Sequence, residues 1–232
     1  MKLRAFTMAE LLVTLTIAGI VALVVLPTLM HTQPNREMVM FKKAYYLASR
    51  TVNELINDED YYPDSADGLA IHNGFAHTTI TDVADHEATF HGRTYGGANG
   101  DFPGNQKFCG LFATKLNLRG EPRCNARVTL SAGGNFSTTD GMVWSMPVAD
   151  FSQNEMQQIF VDVNGVNADQ GPNCGHSGAQ SGGAACGAGV APDRFAINVF
   201  RDGRMEVPSA IARRYLATTN TNKTYQEIVN GN

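Results

Sequence analysis

Four cysteines, Cys109, Cys124, Cys174 and Cys186, are the most reactive side chains of this 232-residue chain. Their number is even and no pair is spaced C-x-x-C, so a zinc ribbon or a thioredoxin-like centre is excluded and disulfides are the natural chemistry. Three connectivities are possible. Nearest-neighbour pairing, Cys109–Cys124 and Cys174–Cys186, closes two short loops, the second a Gly/Ala/Ser-rich one. A second cluster, Asp162, Asn164, Asn167 and Asp169, places alternating oxygen side chains around Gly165. That spacing resembles part of a calcium loop but lacks the bidentate Glu of an EF-hand. The alternative is a plain turn, in which Asn164-Gly165 supplies positive φ angles. His86 and His91 are one residue too far apart for H-E-x-x-H and do not converge on one ion from a helix or a strand. The Gly-rich segment after Cys174 holds neither G-x-S-x-G nor G-K-[ST], so serine catalysis and phosphate binding are rejected. No catalytic constellation survives these checks, and neither an enzyme nor a required cofactor is expected.

Glu10 is the remaining suspect, because of where it stands. From Leu11 to Met30 the sequence has no charge and is dominated by Leu, Val, Ile and Ala. As a helix this run would rise about 30 Å, the thickness of a bilayer's hydrocarbon core. Lys2 and Arg4 on its N-terminal side predict a cytoplasmic N-terminus and a head outside. A secretory signal fits poorly, since the run exceeds the usual h-region of roughly 7–15 residues and no A-x-A site follows it. A carboxylate at the edge of such a run needs a cation, and a free α-amino group just upstream would supply one. The rest of the chain is mildly acidic, 18 Lys and Arg against 22 Asp and Glu, with no basic block. That argues against a nucleic-acid site. Abundant Gly (23) and sparse charge (17%) suit a loop-rich extracellular protein.

Ala5-Phe6-Thr7-Met8-Ala9-Glu10-Leu11-Leu12 resembles the processing site of type IV prepilins and type II secretion pseudopilins. The resemblance implies that a prepilin peptidase removes the basic leader, residues 1–5, after Ala5. Phe6 becomes the N-methylated terminus and Glu10 the carboxylate that sets assembly register. Ala5 replaces the family's usual Gly. Gly19 and Pro27 fall where the family places helix-weakening residues, and Pro27 is expected to kink or melt the helix. In the second half, Ile159-Phe160-Val161-Asp162-Val163-Asn164-Gly165, Gly171-Pro172-Asn173 and Asp193-Arg194-Phe195 follow an order similar to heads of prepilin-type proteins, with Cys174–Ala191 as an insertion. Major pseudopilins carry a calcium site in a late loop of the head, which favours the Asp162–Asp169 cluster as a calcium ligand set.

The elements needed to position these groups follow from periodicity. Met38, Phe41, Tyr45, Ala48, Val52 and Leu55 recur three and four apart, the buried stripe of an amphipathic helix ending near Asn57–Asp60, before Tyr62-Pro63-Asp64. Strand-like runs are Val128–Ala132, Asn135–Thr138, Gly141–Val148, Gln158–Val163 and Arg194–Phe200, with Asp202-Gly203 turning the last back towards Met205–Val207. The expected fold class is α+β, type IV pilin-like: one long N-terminal helix, protruding in its first half, packed by its second on an antiparallel sheet. Its divisions are a leader (1–5), an apolar transmembrane or filament-core helix (6–33), an amphipathic half (34–60), a head (61–217) and a polar tail (218–232). The expected function is a pilin subunit of an extracellular type IV pilus-like filament, held in the bacterial inner membrane before assembly. Its partners would be other copies of itself, the prepilin peptidase and the assembly machinery. The alternatives are a pseudopilin of type II secretion and a membrane-anchored adhesin that never polymerises.

Overall fold

A computed structural model describes residues 8–31, 35–62, 74–76, 87–148, 151, 154–165, 173–175 and 184–231, with side chains of the first helix described from Met8 to Val21. Helix α1 spans Met8–His31 and helix α2 spans Arg36–Ile56. They are separate elements, because Asn35 caps α2: its side chain accepts from the Met38 amide at 3.0 Å, taking one of the donors a helix start leaves unpaired. Met38, Phe41, Ala44, Ala48, Val52 and Leu55 of α2 are fully buried, whereas Tyr45 is only half-buried. The stripe packs on the sheet through Phe41, whose ring lies 4.2 Å from that of Phe195. Truncating Phe41 to Ala would remove about 3–5 kcal/mol.

The main sheet has seven strands: β3 (Phe136–Ser137), β4 (Val143–Ser145), β5 (Met156–Asp162), β6 (Cys174–Gly175), β7 (Ala184–Ala185), β8 (Arg194–Phe200) and β9 (Met205–Glu206). Its order is β3-β4-β5-β8-β6-β7, with β9 sharing the far edge of β8. The centre is the antiparallel pair β5–β8, seven residues in register from Met156↔Phe200 to Asp162↔Arg194. Side chains alternate faces with period two. Ile159, Val161, Val163, Phe195, Ile197 and Val199 enter the main core with the helices. On the other face, Gln158–Asn198, Phe160–Ala196 and Asp162–Arg194 form a ladder of cross-strand pairs. Phe160 and Ala196 there make a small second core with Leu130 and Val143.

A hairpin of β1 (Ala88–Phe90) and β2 (Arg93–Tyr95) turns through His91 and Gly92, both at positive φ, and leads into α3 (Lys107–Thr114). Two further helices, α4 (Ala210–Ala217) and α5 (Tyr225–Asn230), close the chain. Thr224 opens α5 with a capping box to Glu227. The Asn35 amide donates to the Thr221 carbonyl at 2.8 Å and Lys42 Nζ bonds the Thr218 carbonyl, so the C-terminal segment is fastened to the start of α2.

Several expectations are corrected. The fold class expected a single long helix on an antiparallel sheet. The structure has two N-terminal helices, the second of which packs on the head, and a mixed sheet in which β6 runs parallel to both β7 and β8. The disulfide-closed insertion returns the chain to the sheet in the same direction, which hairpin reasoning does not anticipate. The expected membrane stage is overturned too: among the described residues no helix is long and apolar enough to cross a membrane. Val128–Ala132 is not a strand but runs into a 3₁₀ turn over Leu130–Ala132, ended by Gly133 at φ +90°. Finally, 218–232 is not a loose tail, since α5 buries Ile228.

Candidate functional site

Three regions hold the groups singled out by type and spacing. The first is α1. Glu10 lies in its first turn, where the partial positive charge of the helix start favours a carboxylate. Met8, Leu11, Leu12, Val13, Leu15, Ile17, Ile20 and Val21 are each between 46% and 79% exposed. Thr14 and Thr16 fold their hydroxyls back onto carbonyls of the preceding turn at 2.8–3.0 Å, which removes them as outward-facing donors. The outer surface of this stretch is therefore aliphatic, with Glu10 its ionisable group. A contiguous patch of this kind on a folded protein marks a contact surface. The helix runs through Gly19 and Pro27 to His31; a Cβ at Gly19 would meet nothing within 4 Å. Ala5 and Phe6 lie outside the described residues.

The second region is the disulfide frame. Cys109 of α3 is joined to Cys124, and Cys174 of β6 to Cys186, with sulfur–sulfur distances of 2.01 and 1.99 Å. Among the described residues no cysteine is free. Closing loops of this size, 15 and 12 residues apart in sequence, limits the unfolded chain by about 3 kcal/mol each. Bridges of this kind persist in a non-reducing setting.

The third is a buried polar cluster where the three head motifs meet. Arg194 Nε donates to Asp162 Oδ2 at 2.8 Å, Nη1 to Ser131 Oγ at 3.0 Å and Nη2 to Asn173 Oδ1 at 3.2 Å. Asp193 accepts the amides of Asn173 and Cys174, both at 2.8 Å. Asp162, Asp193 and Arg194 are all at most 4% exposed. The Asp162 carboxylate thus faces the Arg194 guanidinium out of water, while the Asp193 carboxylate is held by two backbone amides. Burial raises Asp162, the Arg194 hydrogen bond opposes it, and the Asp193 charge adds to the rise. Its pKa is pushed up to about 6. The cluster nails the 173–186 insertion to the end of the β5–β8 ladder.

This arrangement bears on the metal reading. Asp162 Oδ1 accepts the Gly165 amide at 3.0 Å, so both of its oxygens are engaged. Gly165 stands at φ +91°, the left-handed conformation expected of the turn. Asn164 is buried, with neither amide atom hydrogen-bonded among the described residues. Asn167 and Asp169 lie outside the described residues, and among the described residues no group of three or more His, Cys, Asp or Glu is placed to hold a metal.

Sequence reasoning missed a cavity of about 220 Å³ between β2, α3 and the loop that Cys124 ties down. Arg93 and Glu121 pair across its mouth at 2.7 Å, and Tyr95 and Phe102 stack within it, 5.1 Å apart. Burial pushes the Tyr95 phenol above its ordinary value, so it stays a protonated donor at neutral pH. Phe102 can lie against α3 because Gly110 has no side chain there; a Cβ would stand 2.5 Å from the ring. No sequence motif announces this cavity. The Gly in an apolar helix, Lys-Phe-Cys-Gly-Leu-Phe, was its one trace.

Compared with known proteins, the chain matches no family model, no curated protein and no solved structure.

Proposed function

We propose that this chain is a pilin-like subunit that polymerises with copies of itself into a filament through α1, its head remaining on the outside. The observation that carries the reading is the exposed aliphatic surface of Met8–Val21 with Glu10 in its first turn. Eight large side chains stand there with about half or more of their area exposed. Burying them between copies would contribute on the order of 10 kcal/mol before association costs, comparable with the roughly 4–15 kcal/mol that association requires. Helix packing alone is therefore marginal, and a register-setting ion pair has room to decide the outcome. Removal of residues 1–5 by a peptidase of the prepilin type would create the Phe6 α-amine, the cation that suits a neighbour's Glu10. The two disulfides support a head that works in a non-reducing setting.

The test is electron microscopy of the expressed full chain together with intact-mass measurement. The expected result is filaments whose subunits begin at N-methylated Phe6, with Glu10→Ala removing most filaments while the head stays folded. Filaments whose subunits retain residues 1–5, or filament yield unchanged by Glu10→Ala, would overturn the reading.

A further inference from the structure

We propose that Asn164-Gly165 is a self-modifying site, at which the Gly165 backbone nitrogen attacks the Asn164 side-chain amide and closes a succinimide ring with loss of ammonia. The site lies in the head and is independent of the α1 surface. The chain holds four Asn-Gly pairs, Asn73-Gly74, Asn99-Gly100, Asn164-Gly165 and Asn230-Gly231, so the dipeptide alone does not distinguish them. Tertiary structure does. Among the described residues, Gly165 alone of these glycines donates its amide to a side-chain carboxylate, Asp162 Oδ1 at 3.0 Å. The Gly231 amide is spent on the Glu227 carbonyl at the end of α5, and Asn99 stands exposed in a turn. Asn73 lies outside the described residues.

Each group in the reaction is prepared. The nitrogen must give up its proton as its bond to Asn164 Cγ forms, and a carboxylate already hydrogen-bonded to that N–H is placed to take it. Asp162 is held for this by Arg194 Nε, 2.8 Å from its other oxygen. Burial raises its carboxyl to about 6, which leaves it largely ionised at neutral pH. Asp162 then returns the proton to the departing nitrogen. The Asn164 Cγ–Nδ2 bond breaks, ammonia leaves, and no oxidant or other reactant is consumed. Asn164 is 4% exposed, and neither its Oδ1 nor its Nδ2 has a hydrogen-bond partner among the described residues. A buried amide donor without an acceptor is costly, and cyclisation removes it. Gly165, at φ +91° and without a Cβ, leaves its nitrogen open to the approach.

The experiment is peptide mass mapping of the full chain after incubation at neutral pH, folded and, in parallel, unfolded in urea with its disulfides intact. Loss of ammonia, or its replacement by water once the imide opens to aspartate or isoaspartate, is read at each Asn-Gly pair. In the folded chain Asn164-Gly165 is expected to react ahead of Asn99-Gly100 and Asn230-Gly231, and faster than it does itself when unfolded. Asp162→Asn keeps an oxygen for the Gly165 amide but cannot take its proton, and is expected to slow the folded reaction about a hundredfold. Asn164→Gln, which would have to close a larger ring, is expected to stop it. Circular dichroism melts show that the variants are folded; if Asp162→Asn does not fold, the comparison of folded with unfolded wild-type chain decides. Asn164-Gly165 reacting no faster in the folded chain than in the unfolded one overturns the proposal. So does a folded Asp162→Asn chain that reacts as fast as wild type.

Discussion

The head is expected to become more stable as the solution is acidified from pH 7.5 to 5.5, and Asp162→Asn to abolish that gain. Asp162 has a carboxyl pKa raised from 3.8 to about 6 in the folded head, because burial with Asp193 outweighs the Arg194 pair. A group with a raised folded pKa binds its proton more readily in the native state. Its contribution to stability is complete below the unfolded pKa and is lost as pH rises through the folded one. The full span is about 3 kcal/mol, at 1.36 kcal/mol per pKa unit. Between pH 7.5 and 5.5 the linkage relation gives about 0.8 kcal/mol, equivalent to roughly 2–3 °C in Tm for a domain of this size. Glu54 is lowered chiefly by the hydrogen bond from Lys115, and Glu227 by the Thr224 amide. Their contributions run the other way but are lost only as pH falls below about 4.5, so the window stays above them. Thermal melts by circular dichroism at the two pH values, on the wild-type chain and on Asp162→Asn, measure the difference directly. A wild-type Tm that is equal or lower at pH 5.5, or an Asp162→Asn chain that gains as much, would refute the reasoning.

Replacing Cys109 and Cys124 together by Ala is expected to lower Tm by about 6–12 °C, from about 3 kcal/mol of lost loop restriction, as read by calorimetry. Gly165→Ala is expected to destabilise the head by about 1–2 kcal/mol, since it forces a Cβ into left-handed backbone, whereas melts in EDTA and in calcium should coincide because Asp162 is already engaged. Thr224→Ala is expected to loosen α5 by about 1 kcal/mol, seen as faster amide exchange over 225–230 with little change in global Tm.

Local physics made part of this protein legible in its residues. The α2 stripe from Met38 to Leu55 and the strand over 194–200 follow from side-chain period, which a single element expresses by itself. The segment 218–232 was read as a polar tail, and the short helix in it, opened by Thr224 and Glu227, is one that contact with neighbouring elements makes stable. The cysteine pairing joins nearest neighbours, the one connectivity that needs no knowledge of the fold.

Tertiary structure decided what depends on distant segments meeting. Asp162, Asn173 and Asp193 are spread over 32 residues, and of the three only Asp162 was weighed as a calcium ligand against a plain turn. Arg194 takes one oxygen of Asp162, because the β5–β8 register sets it directly opposite. The cavity has the same origin: Arg93 and Glu121 are 28 positions apart and meet only because the disulfide draws the loop onto α3. Composition and spacing determine which groups are available and which elements form. Burial and register determine which of those groups face each other, and these are properties of the packed chain, to which every segment contributes at once.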